Sequence, residues 1–278
     1  MKVRTITGAV MTSVFVVPCI FSEYIVYPIV VALLAVMAIF EMLRVLGFEK
    51  RFAVSIPAYL LAAGLPIGAF FKDKLPGGVE KFLLLAALAV IIYLVYLLGF
   101  SVFCRGTLLF SQISGVFTSV AYISVSFMAL SLLRYVEHGV YIFVIVFISS
   151  CICDIFAYFT GYLFGKHKLI PEISPKKTVE GAIGGTAFAV LGLLLYGFIL
   201  SKAADLSVNY PIIALYGLLL AIVGQFGDLV ASLIKREHGV KDYGRLLPGH
   251  GGVMDRFDSM MPISLVLLVL SMTLPPVF

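Results

Sequence analysis

Apolar residues in this chain come in long unbroken runs, not in the alternation of a strand or the narrow stripe of a surface helix. A run of about 20 apolar residues, wound as a helix, spans the hydrocarbon core of a bilayer. Nine such runs can be read, over residues 5–21, 25–43, 53–71, 82–103, 108–133, 139–165, 180–200, 211–233 and 257–275. A membrane β-barrel would instead show short alternating segments. The pattern predicts an all-α, polytopic bundle of transmembrane helices. It leaves no room for a separate soluble domain, so residues 1–278 are expected to form a single membrane domain. Within it, 1–135 carry the N-terminal spans, and 136–278 carry the spans and cytoplasmic loops of a catalytic region.

Composition supports the same reading. Hydrophobic residues make up 62% of the chain and charged residues 13%, too little charge to cover a soluble fold of this size. Lys2 and Arg4 precede the first run, but Pro18 to Glu23 offer no small-residue cleavage pattern, so this run is expected to stay as a span. The four cysteines lie in or beside apolar runs and read as small hydrophobes. Cys151 and Cys153 lack the second pair that a zinc site would need.

The net charge of +5 says less than its distribution. With nine spans the termini fall on opposite sides. Of the 20 Lys and Arg residues, Lys72, Lys74, Lys81, Arg134 and Lys202 fall on one side, and the other fifteen share the N-terminal side. Cytoplasmic loops are rich in Lys and Arg, which puts the N-terminus in and the C-terminus out. Orientation and headgroup contact account for Arg44, Lys50 and Arg51. The last two cytoplasmic loops differ, because there the basic residues are mixed with acids, glycines and histidines.

Asp154 lies inside the sixth run, about 16 Å below its cytoplasmic end at helical rise. A carboxylate at that depth is expensive and points to function. Asp154, Tyr158, Gly161 and Gly165 share one helix face. Asp228, Ser232 and Lys235 share another, next to Arg236. Lys176, Lys177 and Thr178 precede a helix start, a natural place for an anion, and the paired lysines read equally as a positive-inside anchor. Gly181, Gly184 and Gly185 read as helix-packing residues.

The longest polar stretch runs from Lys241 and Asp242 through Gly244, Arg245, His250, Gly251 and Gly252 to Asp255, Arg256 and Asp258. Its glycines let backbone approach a phosphate. Asp255 and Asp258 are oxygen ligands of the kind that suits Mg²⁺, which takes one or two carboxylates plus substrate phosphates. Lys241, Arg245 and Arg256 can neutralise charge on transferring phosphoryl oxygens. His250 has room between glycines to touch a ligand, as general acid, phosphate donor or loop stabiliser. Together these features predict phosphoryl or nucleotidyl chemistry at a membrane surface.

The same residues resemble the CDP-diacylglycerol synthases, also called phosphatidate cytidylyltransferases. Their signature matches from Ser232 through Lys235-Arg236, Lys241-Asp242, Gly244, Pro248, His250-Gly251-Gly252 and Asp255-Arg256 to Asp258. The likeness extends to Asp154 with Tyr158, to Ser174–Gly181 and to Gly227-Asp228, and so covers the C-terminal half. It implies transfer of a cytidylyl group from CTP to phosphatidic acid for phospholipid biosynthesis, with Mg²⁺ and room for a second cation. It also implies a multi-pass enzyme of the cell (inner) membrane, a homodimer, a cytoplasmic active site and no nucleic-acid partner. On this reading Lys241, Asp242, His250 and Arg256 are catalytic, and Asp154, Asp228, Asp255 and Asp258 hold metal. Tyr158, Lys176, Lys177, Thr178, Ser232, Lys235, Arg236, Arg245, Gly251 and Gly252 bind substrate. A CTP-using lipid kinase and a cation transporter are the rival readings. No inverted repeat supports the transporter.

Overall fold

The computed structural model describes residues 24–104, 108–244 and 251–278. The first expected run, and the site residues Arg245 and His250, lie outside them. Among the described residues, seven helical segments are long and apolar enough to cross a membrane. They are α1 (Val26–Val45), α2 (Phe52–Phe70), α3 (Gly78–Phe103), α4 (Phe110–Leu132), the segment Gly139–Phe164, α7 (Val179–Ala203) and α8 (Tyr210–Glu237). The fifth of these is composite: α5 (Gly139–Phe147), a π turn (Ile148–Ile152) and α6 (Cys153–Phe164). The chain is thus an α-helical, polytopic membrane protein.

The last expected run, 257–275, is divided between a short α9 (Met254–Phe257) and the 14-residue α10 (Met260–Thr273). Asp258 and Ser259 stand at the break. A two-stranded antiparallel hairpin, β1 (Lys168–Ile170) and β2 (Ser174–Thr178), pairs Lys168 with Thr178 and Ile170 with Ser174.

Two compact units make up the chain. The first takes the residues up to Tyr135 together with Val240–Arg256, and the second takes Val136–Gly239 and Phe257–Phe278. In the first, α1, α2 and α4 pack around Ala35, Ala38, Ile39, Val54, Ala58, Ala62 and Ile123, all fully buried. The Tyr27 hydroxyl donates to the Leu130 carbonyl at 3.0 Å, tying α1 to α4. Helix α3 turns Leu84, Ile91, Ile92 and Val95 outward, as a helix bathed in lipid does.

Small residues set the second unit. Helices associate in lipid by close backbone approach, because apolar burial gives them no drive there. A β-carbon added at Gly185 would lie 2.6 Å from the Cys153 carbonyl oxygen and 2.8 Å from Ala157 Cβ. One added at Gly181 would meet the Ala157 carbonyl oxygen at 2.7 Å. These glycines let α7 press on α6, as their spacing predicts. Further along, Cys153, Ala189 and Ala221 form a small-residue core. Thr178 caps α7, its Oγ1 accepting from Gly181 N–H at 3.1 Å. Asn209 does the same for α8, from Ile212 N–H at 3.4 Å, with Pro211 in the first turn.

Candidate active site

One cavity in the second unit gathers several of the polar residues singled out in the sequence. It has a volume of about 640 Å³ and is lined by Asp154, Tyr158, Gly161 and Gly165 from the α6 side, and by Lys168 of β1. Lys176, Lys177 and Thr178 from β2, and Gln225 and Asp228 from α8, also line it. The face that carries Asp154, Tyr158, Gly161 and Gly165 is therefore turned into one space. The π turn stands immediately before it, and π turns recur at functional sites because they re-aim the side chains that follow.

The hairpin brings the lysines in. Its close seat depends on two glycines: a β-carbon at Gly161 would meet Thr178 Oγ1 at 2.8 Å, and one at Gly165 would meet Thr178 Cγ2 at the same distance. Glu180 holds the same open end of the hairpin, accepting from the His167 backbone N–H at 3.2 Å and lying 2.7 Å from its ring Nδ1. Arg236 Nε donates to the Ile173 carbonyl at 3.3 Å, so this candidate substrate residue fastens α8 to the hairpin. Thr178, another candidate, is buried and spends its hydroxyl on the α7 cap.

Lys177 Nζ lies 2.5 Å from Asp228 Oδ2, with each side chain about one-quarter exposed. Lys176 on the same strand is exposed. Gln225, which sequence reasoning did not single out, donates to Thr186 Oγ1 at 2.9 Å and to the Ala182 carbonyl at 3.2 Å. It stands one helical turn before Asp228.

The Asp258 segment abuts this helix. A β-carbon at Gly227 would fall 2.6 Å from the Asp258 carbonyl oxygen, so only glycine lets α8 pass here. Burial, and after it the negative charge of Asp228, push the Asp258 carboxyl above the ordinary carboxylate range. A hydrogen bond from Ser259 N–H at 2.8 Å and the charge of Lys235 act the other way. Asp154 adds a smaller repulsion. Among the described residues, no three His, Cys, Asp or Glu side chains are gathered tightly enough to hold a metal ion between them. Two mutually repelling carboxylates, Asp228 and Asp258, nonetheless fit Mg²⁺, which takes one or two protein carboxylates and leaves its other positions to water and phosphate.

The first unit holds the glycine-rich segment. Tyr243 and Gly244 form one arm, and Gly251 to Asp255 form the other. Asp255 is buried, and its Oδ2 accepts from the backbone N–H of Tyr243 at 2.8 Å and of Gly252 at 3.0 Å. Gly251 has φ +82°, a conformation that favours glycine. Lys241, Asp242 and Arg256 are exposed. Ser232 and Lys235, on α8 in the other unit, are partly exposed and do not line the cavity.

Beside the polar cavity runs an apolar groove of about 790 Å³, lined by Ile183, Ala187, Val190, Leu218 and Ile222 among others. Leu169, Ala182 and Gln225 line both spaces.

A model of the cytidylyltransferase family matches residues 2–274. The chain belongs to that family. It is therefore an enzyme, a nucleotidyltransferase set in a membrane. The chain is similar along nearly its whole length to curated bacterial enzymes. The phosphatidate cytidylyltransferase of Staphylococcus epidermidis is 35% identical over 272 residues, covering 97% of this chain and 99% of its own. That of Staphylococcus aureus is 35% identical over 275 residues, covering 98% and 100%. The enzyme of Staphylococcus saprophyticus is 34% identical over 272 residues.

Proposed function

We propose that the chain transfers the cytidylyl group of CTP to phosphatidate, giving CDP-diacylglycerol and pyrophosphate, and that the cavity of the second unit is where its phosphates are held. The observation that carries this reading is the meeting of Asp154, Asp228, Lys176 and Lys177 in one space. Carboxylates for a cation and lysines for phosphate are the parts that nucleotidyl transfer needs.

A phosphate oxygen of phosphatidate attacks the α-phosphorus of CTP. A P–O bond forms there, and the bond from the α-phosphorus to the bridging oxygen breaks, with pyrophosphate carrying away the electron pair. The attacking oxygen is already anionic, so no protein nucleophile is required. Asp228 and Asp258, with Asp154 nearby, would hold Mg²⁺, and the same carboxylates would serve a second cation. When bound, the ion neutralises triphosphate charge and orients its oxygens. Of the two carboxylates in the motif Asp255-Arg-Phe-Asp258, the latter is assigned first, because Asp255 Oδ2 already serves two backbone amides. Asp255 is kept as a candidate ligand by the likeness of its motif alone.

Lys176 and Lys177, which line the cavity beside Asp228, would bind phosphate oxygens. By the likeness of their motif, Lys241 and Arg256 neutralise charge on the transferring group, with Asp242, His250 and Arg245 beside them in sequence. Gly251 and Gly252 let the backbone come close, Ser232, Lys235 and Arg236 border the substrate, and Tyr158 lines its cavity. Phosphatidate enters from the leaflet with an acyl chain in the apolar groove that shares Leu169, Ala182 and Gln225 with the cavity. The site faces the cytoplasm of a bacterial inner membrane, where CTP is found, and two chains associate as a homodimer.

Asp228→Asn tests the assignment. Loss of CTP- and phosphatidate-dependent pyrophosphate release from a folded variant is expected, and wild-type turnover would remove Asp228 from the site.

A further inference from the structure

Glu41 is 3% exposed, near the end of a helix whose one other charged residue is Arg44, and packing alone calls for no carboxylate there. Its Oε2 accepts from the Met254 backbone N–H at 2.9 Å. The same carboxylate sits against the backbone of Gly244 and Gly252, and a β-carbon on either glycine would overlap it. Arg44, one turn further along α1, donates from Nη2 to the Tyr243 carbonyl at 2.6 Å. Asp255 closes the arrangement from the loop itself, through its bonds to Tyr243 and Gly252. The two arms touch, since a β-carbon at Gly244 would lie 2.9 Å from Gly252 Cα.

Both ends of the glycine-rich segment are thus fixed by named charges on one helix face of the first unit. Lys241-Asp242 stand just before the pinned Tyr243, and Arg256 just after the pinned Asp255. We infer that Glu41 and Arg44 are positioning residues, which set where Lys241, Asp242 and Arg256 stand by clamping the backbone of the segment that carries them. This rests on the reading that those three residues act on the phosphates. Glu41 touches no reacting atom in this role, and it serves as a hydrogen-bond acceptor in a place where a hydrophobic side chain would pack at lower cost.

The test uses the full-length enzyme in detergent or nanodiscs, with Glu41→Leu, Glu41→Gln, Arg44→Met, Lys241→Ala and Arg256→Ala. Thermal midpoint, kcat and the KM values for CTP and phosphatidate are measured for each. Glu41→Leu fills the space but cannot accept, so it should keep a wild-type midpoint while kcat falls by as much as about 100-fold, the scale of a misplaced catalytic group. Glu41→Gln, which still offers Met254 an oxygen, should recover part of that loss. Arg44→Met, at an exposed position, should fold and lower kcat as well, with KM for phosphatidate unchanged. Wild-type kcat in both Glu41→Leu and Arg44→Met, beside crippled Lys241→Ala and Arg256→Ala, would overturn the clamp alone. Full activity in Lys241→Ala and Arg256→Ala would overturn the reading of the loop on which it rests. Should Glu41→Leu not fold, Arg44→Met decides between the same outcomes.

Discussion

Lys177 Nζ lies 2.5 Å from Asp228 Oδ2 in the wall of the polar cavity, so an ammonium stands beside the carboxylate to which a divalent cation is assigned. A partly exposed pair of this kind is worth less than about 1 kcal/mol in stability. Lys177→Ala is therefore expected to leave the thermal midpoint nearly unchanged. Its kcat should nonetheless fall by about 10²- to 10³-fold, as when one charge-stabilising group is removed from a transition state. Parallel thermal and pyrophosphate-release assays on the same preparation check both halves.

Asp258 gives a pH dependence with a definite sign. Its carboxyl is held above the ordinary range by burial and by Asp228, so the folded protein binds this proton more tightly than the unfolded chain does. The neutral form is the more stable one in the fold, and stability is lost as pH rises through the raised value. Thermal midpoints of the metal-free enzyme should climb as pH falls from neutrality toward the usual carboxylate range, and Asp258→Asn should flatten that rise. Mg²⁺ competes with the same proton, so its half-saturating concentration for turnover should increase over the same interval. Asp258→Asn should also abolish turnover in a folded protein.

The glycines divide into those with neighbours and those without. Gly185 lies against α6, and alanine there should cost about 1–3 kcal/mol through overpacking. Gly115, in α4, has nothing within 4 Å of an added β-carbon, so Gly115→Ala should be neutral or stabilise by about 0.4–1 kcal/mol. Denaturation midpoints of the two variants check the contrast.

Much of this was legible in the chain, for identifiable reasons. Apolar runs locate α1 to α8 because a span must be both long and apolar. Helical spacing alone placed Asp154, Tyr158, Gly161 and Gly165 on a shared face, and all four line the cavity. The hairpin was not legible, because strands of three and five residues show no periodicity and Pro175 lies in the second. The break before α10 was not legible, because Phe257 before it and the long apolar stretch from Met260 onward read as one run. Orientation was enough to account for Arg44, and Glu41, inside the run 25–43, was not singled out. Their partners lie about 200 residues away, and no local pattern signals a side chain reaching a distant backbone; Arg44 and Tyr243, for example, are 199 apart.

The apolar groove makes a claim about substrate length. Ala187→Phe narrows it without touching the polar cavity. KM for long-chain phosphatidate is expected to rise several-fold, with KM for CTP and turnover of a short-chain, water-soluble phosphatidate unchanged. Kinetics with both lipids on one variant provide the check. Equal effects on the two lipids would place the acyl chain elsewhere.

The central claim is cytidylyl transfer to phosphatidate, and the position of the label in CTP tests it most directly. Purified enzyme is given phosphatidate, Mg²⁺ and CTP labelled at either the α- or the γ-phosphate, and the lipid products are separated by thin-layer chromatography. The α-label should appear in a CDP-lipid while the γ-label leaves as pyrophosphate. Label reaching the lipid from the γ-phosphate would show kinase chemistry instead and contradict the account.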